Sequence, residues 1–193
     1  MANSYFEVDN KLAIKGGGSL GQAMRYLKEN TLSSAISRSI EAFQEIDKQY
    51  RKAVANDGKI IGTERTDILD RVDLLLDIMI LAWKQTGNRG EECRIRVENR
   101  EKNFLFEIAE ANGLWKASGR LTPAMTRPAK NFNELYNARL APEIIALLKT
   151  YREACADNVI DQDEKESLRH NIKQVIYYVL FLRFQLEKCL ISE

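Results

Sequence analysis

Ala53-Val54-Ala55-Asn56-Asp57-Gly58-Lys59-Ile60-Ile61-Gly62-Thr63-Glu64 has a second version a hundred residues on, Ala154-Cys155-Ala156-Asp157-Asn158-Val159-Ile160-Asp161-Gln162-Asp163-Glu164. Each copy follows a Tyr-Arg pair, Tyr50-Arg51 and Tyr151-Arg152, and leads into a long amphipathic run. At a constant offset of 100, Ile68, Val72, Leu75, Leu76, Met79 and Ile80 fall opposite Leu168, Ile172, Val175, Ile176, Val179 and Leu180. Upstream of the turn the offset is 101, so the first copy carries one extra residue there. Apolar residues three and four apart form one stripe of a helix. The pattern predicts a duplicated helix-turn-helix hairpin.

The chemistry of the turn follows from its residue types. Gly58 and Asn158 are the types that most readily take the left-handed conformation ending a helix. Ile60 and Ile160 would plug the turn into the core, with Asp57 and Asp157 beside them. Glu64 and Glu164 would sit in the first turn of the next helix and favour its positive end; Asp161 and Glu164 have the spacing of an acidic capping box. A calcium loop also has glycine at its sixth position, an apolar residue at the eighth and glutamate at the twelfth. That register puts Ala53 and Ala55 at two of three oxygen-ligand positions in the first copy, and Cys155 among the ligands of the second. The helix-capping reading is preferred, and no metal or other cofactor is expected.

The Ala-x-x-Asp-Gly-x-Ile-x-x-x-Glu element resembles helix hairpins of tellurite-resistance TerB-type domains and of the C-terminal helical part of CII-type phage regulatory proteins. The resemblance covers about 50 residues per copy. It implies architecture, and a phage or prophage regulatory origin. The N-terminal helix-turn-helix of a CII-type regulator has no counterpart in the first 30 residues, so no DNA-reading residue carries over.

Around the repeat, Tyr5–Val8 and Lys11–Ile14 flank Asp9-Asn10 as a small β-hairpin. Cys93–Glu98 alternates with period two and is a third strand or a helix. Gly16-Gly17-Gly18-Ser19-Leu20-Gly21 matches Gly-x-Gly-x-x-Gly before a helix starting near Ser19, but the second strand of a dinucleotide fold is missing, which favours a flexible joint. Asn103 caps a predicted short helix through Ala111, closed by Asn112-Gly113, and Trp115 to Lys130 is predicted as a long loop with Pro123 and Pro128. The run from Val175 to Phe184, apolar on nearly every side, marks a central buried helix or an oligomer face. The expected fold is all-α, a bundle of two pseudo-repeated antiparallel helix hairpins with a small N-terminal β-hairpin. Within one compact domain, 1–18 is hairpin and Gly-rich joint, 19–90 the first helical hairpin, 91–130 a connection with the loop, and 131–193 the second helical hairpin.

The charge balance, 29 basic against 28 acidic residues, supplies no global field toward nucleic acid or an anionic membrane. Cys93, Cys155 and Cys189 lack Cys-x-x-Cys spacing, and one histidine, His170, excludes a multi-histidine metal centre. A Cys–His pair has no support in spacing. No apolar run reaches the roughly 20 residues that span a bilayer; together with the cysteines this predicts a soluble cytoplasmic protein. Lys116, Arg120, Arg127 and Lys130 carry a local +4 with no acid from Trp115 to Asn131, and Trp115 could stack. This is the candidate contact for phosphate or an acidic partner, weighed against a solvated basic loop. Glu153 to Glu166 is an opposite, acidic pole that could support self-association. With no catalytic constellation in view, the expectation is a non-enzymatic regulatory or adaptor protein acting through a protein partner or its own copies. The alternative is a nucleic-acid-binding regulator using 115–130.

Overall fold

A computed structural model describes residues 5–8, 13–19, 32–57, 60, 62–87, 94–98, 104–111, 114–120, 135–157 and 159–187. Most of these are helical. Helix α1 is Leu32–Asp57, α2 Gly62–Thr86, α3 Ala141–Ala154 and α4 Gln162–Glu187, and a π-helical turn at Tyr136–Leu140 runs into α3. No helix is long and apolar enough to cross a membrane among the described residues.

Helix α1 packs on α2, α2 on α4, and α4 on α3, so α2 and α4 are the inner pair. The inner position explains their composition. Helix α2 is buried without interruption from Leu75 to Trp83, and α4 buries Leu168, Ile172, Val175, Ile176, Val179, Leu180 and Leu182. A helix apolar on all sides needs neighbours on all sides; α2 fills that role as fully as α4. Pro142 follows the π-helical turn directly, and because it has no backbone N–H to donate to the preceding turn it interrupts the helical hydrogen-bond ladder there.

Beside the bundle stands a five-stranded antiparallel sheet, where the all-α reading had only a small N-terminal β-hairpin and a candidate third strand at Cys93–Glu98. Its strands are β1 Tyr5–Val8, β2 Ala13–Ser19, β3 Arg94–Glu98, β4 Phe104–Ala111 and β5 Leu114–Arg120, in the spatial order β1-β2-β5-β4-β3. Strand β3 packs on α4, and β2 touches α2. The buried residues Ile95, Ile108 and Ala117 lie in one cross-strand row, continued by register through Gly16 to Phe6. Directly paired residues share a face, so this row marks the face turned to the helices.

The sheet corrects three expectations. The predicted helix ending at Ala111 is β4: Phe104, Phe106 and Ile108 alternate with Leu105, Glu107 and Ala109, and aromatic and β-branched residues at period two suit a half-buried strand. The predicted loop begins as β5, whose Leu114 pairs with Ala111 of β4, while Asn112 and Gly113, read as a helix stop, lie outside the described residues. The glycines of the supposed joint, Gly16-Gly17-Gly18, are paired residues of β2 opposite Ala117, Lys116 and Trp115. A glycine run tied into a ladder cannot wrap a phosphate at a helix N-terminus, which removes the dinucleotide reading.

Candidate functional site

Alternation along the strands places Lys15, Arg94, Arg96, Lys116 and Arg120 on the sheet face opposite to Ile95, Ile108 and Ala117. The only acids at positions of that parity, among paired residues before the irregularity at Val97/Glu98, are Glu7 and Glu107. Two rows cross this outer face. One reads Glu7, Lys15, Ser118, Glu107, Arg96; the other reads Tyr5, Gly17, Lys116, Ala109, Arg94; Arg120 lies beyond them, opposite Ala13. Ala109 is exposed where its neighbour Ile108 is buried, as expected if solvent reaches the outer face. Glu7 and Glu107 each pair with a basic position, leaving Arg94, Lys116 and Arg120 opposite alanine or glycine.

Thus Lys116 and Arg120 stand on the outer face, in β5 rather than in a loop. Trp115 has the opposite parity, that of Ala117, so it is not on the face of Lys116. Arg127 and Lys130 lie outside the described residues. Sequence reading missed Lys15, Arg94 and Arg96 as companions of Lys116. The signal lay in Arg94-Ile95-Arg96-Val97, whose alternation puts basic and apolar residues on opposite faces of a strand.

The repeated turns are built differently from each other. In the first, Ile60 is buried, Glu64 accepts from the Asn56 side-chain amide at 3.0 Å, and among the described residues Gly62 is left-handed with φ 57°. Asp57 ends α1, and Gly58 lies outside the described residues. In the second, the Asp157 carboxylate accepts from the Val159 N–H at 3.0 Å. Asp161 and Glu164 exchange hydrogen bonds: the Asp161 N–H donates to Glu164 Oε2 at 2.9 Å, and the Glu164 N–H donates to Asp161 Oδ1 at 2.8 Å. This reciprocal pair satisfies two donors at the start of α4. Ile160 is half-buried against the core, and Asn158 lies outside the described residues.

Between α2 and α4 runs a polar seam. Asp73 and Asp77 are buried, and Arg183 Nε lies 2.8 Å from Asp73 Oδ1, an ion pair by distance whose alignment falls short of a hydrogen bond. Further along, the Arg169 guanidinium lies 3.5 Å from the centre of the Trp83 ring and donates to the Trp83 carbonyl at 3.3 Å. A cation at the C-terminal end of α2 also complements the helix dipole. Gly87 makes room for it, since a Cβ there would meet Arg169 Nη1 at 2.7 Å. These contacts join helices.

His170 borders a shallow groove between α3 and α4 with Thr150, Asp163, Glu166, Ser167 and Asn171. Cys155 is free and half-buried beside Tyr151, whose phenol is pushed up by burial and by a hydrogen bond with Cys155, against a hydrogen bond with Ser33 that lowers it. Cys189 lies outside the described residues. No three His, Cys, Asp or Glu side chains gather as a metal site among the described residues. No family model, curated protein or solved structure matches the chain.

Proposed function

We propose that the protein is a non-enzymatic regulatory or adaptor protein that docks an anionic partner on the outer face of its sheet. The register supports this reading: it collects five basic positions from β2, β3 and β5 on one face, with Gly17, Ala109 and Ser118 between them. Small residues leave a flat surface, and one-signed charge on it attracts an anion. Nucleic acid is the second reading, favoured by basic positions spread over several strands, which suits a repeating phosphate backbone. In the same reading the two helical hairpins are copies of one unit, supported by the offset of 100 and by the packing of α1 on α2 and α3 on α4. The likeness to TerB-type and CII-type hairpins then bears on descent, including a phage origin, and the working surface is the sheet.

Fluorescence polarisation with single-stranded DNA, single-stranded RNA and an acidic peptide, repeated across salt concentrations, tests the proposal. Arg94→Ala/Arg96→Ala and Lys116→Ala/Arg120→Ala should each weaken binding, with Lys52→Ala on α1 as control. For nucleic acid, each lost phosphate contact lowers the log–log salt slope by about one. Binding unchanged in both double variants would remove the sheet face from the account, and nucleic-acid affinity indifferent to salt would remove the second reading.

A further inference from the structure

A second site lies in the cleft between α1 and α2. Its volume is about 250 Å³, and among the described residues its floor is Ala42, Leu74 and Ile78. Ala42 and Ile78 are buried, and Leu74 is half-buried. The charged side chains around it are unequal in their partners. Arg38 is ion-paired to Glu41, one turn along α1, and Glu45 receives Lys48 at 3.4 Å. Arg71, half-buried on α2, has its Nε out of solvent and no hydrogen-bond partner. A guanidinium carries five donors and keeps its charge at all ordinary pH, so leaving a desolvated donor empty beside an open cavity is unfavourable.

We infer that this cleft binds a small monocarboxylate with an apolar body, its carboxylate on Arg71 and its body over Leu74 and Ile78. A single negative charge is specified by the rim: Glu41 and Glu45 already have cations, and a dianion such as phosphate would face both glutamates with one unpaired arginine. Size is specified by volume. The cleft holds roughly eight water-sized groups, counting ~30 Å³ for each, and falls below the ~300–1,000 Å³ of drug-sized sites. A medium-chain fatty acid or an aromatic acid has these properties. The site is independent of the sheet face, and a ligand bridging α1 and α2 would give a regulatory protein something to sense.

Octanoate, octanamide and inorganic phosphate are suitable probes, titrated into the full chain while backbone amide NMR shifts are followed. Octanoate should move amides of residues 38–45 and 71–78, and octanamide should bind about tenfold more weakly, as expected on losing one charge-assisted hydrogen bond. Arg71→Gln should bind the two alike. That variant removes a half-buried unpaired charge, so its melting temperature should stay level or rise, and the octanoate–octanamide comparison in the unaltered protein stands whether or not the variant folds. Absence of octanoate shifts, equal affinity for octanamide, binding of phosphate as strong as that of octanoate, or a folded Arg71→Gln that still prefers octanoate would each overturn the inference.

Discussion

Asp73 and Arg183 meet where α2 crosses α4, with Asp77 buried one turn along. Taking ions out of water is costly, and their mutual attraction offsets this only while both are present. Asp73→Asn should therefore destabilise the protein in urea unfolding, by at most about 3–5 kcal/mol, because it takes one carboxylate away from the buried Arg183. Replacing both, as Asp73→Leu with Arg183→Met, should recover most of that loss; a double variant as unstable as the single one would refute the ion-pair account. Why the pair escaped sequence reading is physical. Asp67, Asp70, Asp73 and Asp77 recur at helical spacing, and periodicity identifies a stripe without saying what faces it. The partner lies 110 residues away inside an apolar run. By contrast, Asp161 and Glu164 were legible, because a capping box needs only residues three apart.

At the scale of elements, the four long helices could be read from spacing because each carries its own apolar stripe, whereas β4 and β5 could not. A strand of seven or eight residues offers three or four alternations, few enough to be mistaken for a helical turn. The π-helical turn adds one connection that no pattern announces. Tyr136, its first residue, stacks on Phe43 of α1 with ring centres 4.4 Å apart and donates its hydroxyl to the Phe43 carbonyl at 2.6 Å. Burial, and then the nearby Asp47 carboxylate, hold its phenol above the ordinary value of 10.0. The sign of the linkage follows: as pH rises, the unfolded chain gives up this proton first, so stability is whole below pH 10.0 and declines above it. Urea midpoints measured from about pH 8 to pH 11 should fall more steeply in the native protein than in Tyr136→Phe. Tyr151, also raised by burial, contributes the same slope to both and cancels from the comparison. Parallel curves would show that Tyr136 ionises as freely folded as unfolded.

In the whole molecule, protection should be graded across the sheet. Strand β4 is paired on both sides and buries Ile108, while β1, at one edge, has β2 as its principal neighbour among the described elements. Local opening costs least where contacts are fewest. Hydrogen exchange of β1 amides should be faster than that of β4 amides by about a hundredfold or more; equal protection would mean that the sheet opens as one unit. The order of the strands also has a consequence in time. Strands β1 and β2 are made first, yet β2 completes its pairing with β5, Ala13 opposite Arg120, only after the whole α1–α2 hairpin has been added between them. At roughly 5–20 residues per second of synthesis, the open edge of β2 waits on the order of 5–20 s for its partner. The glycines and lysine along that edge, Lys15-Gly16-Gly17-Gly18, have low strand-forming tendency, which during this interval also makes the nascent edge a poor template for pairing with another chain.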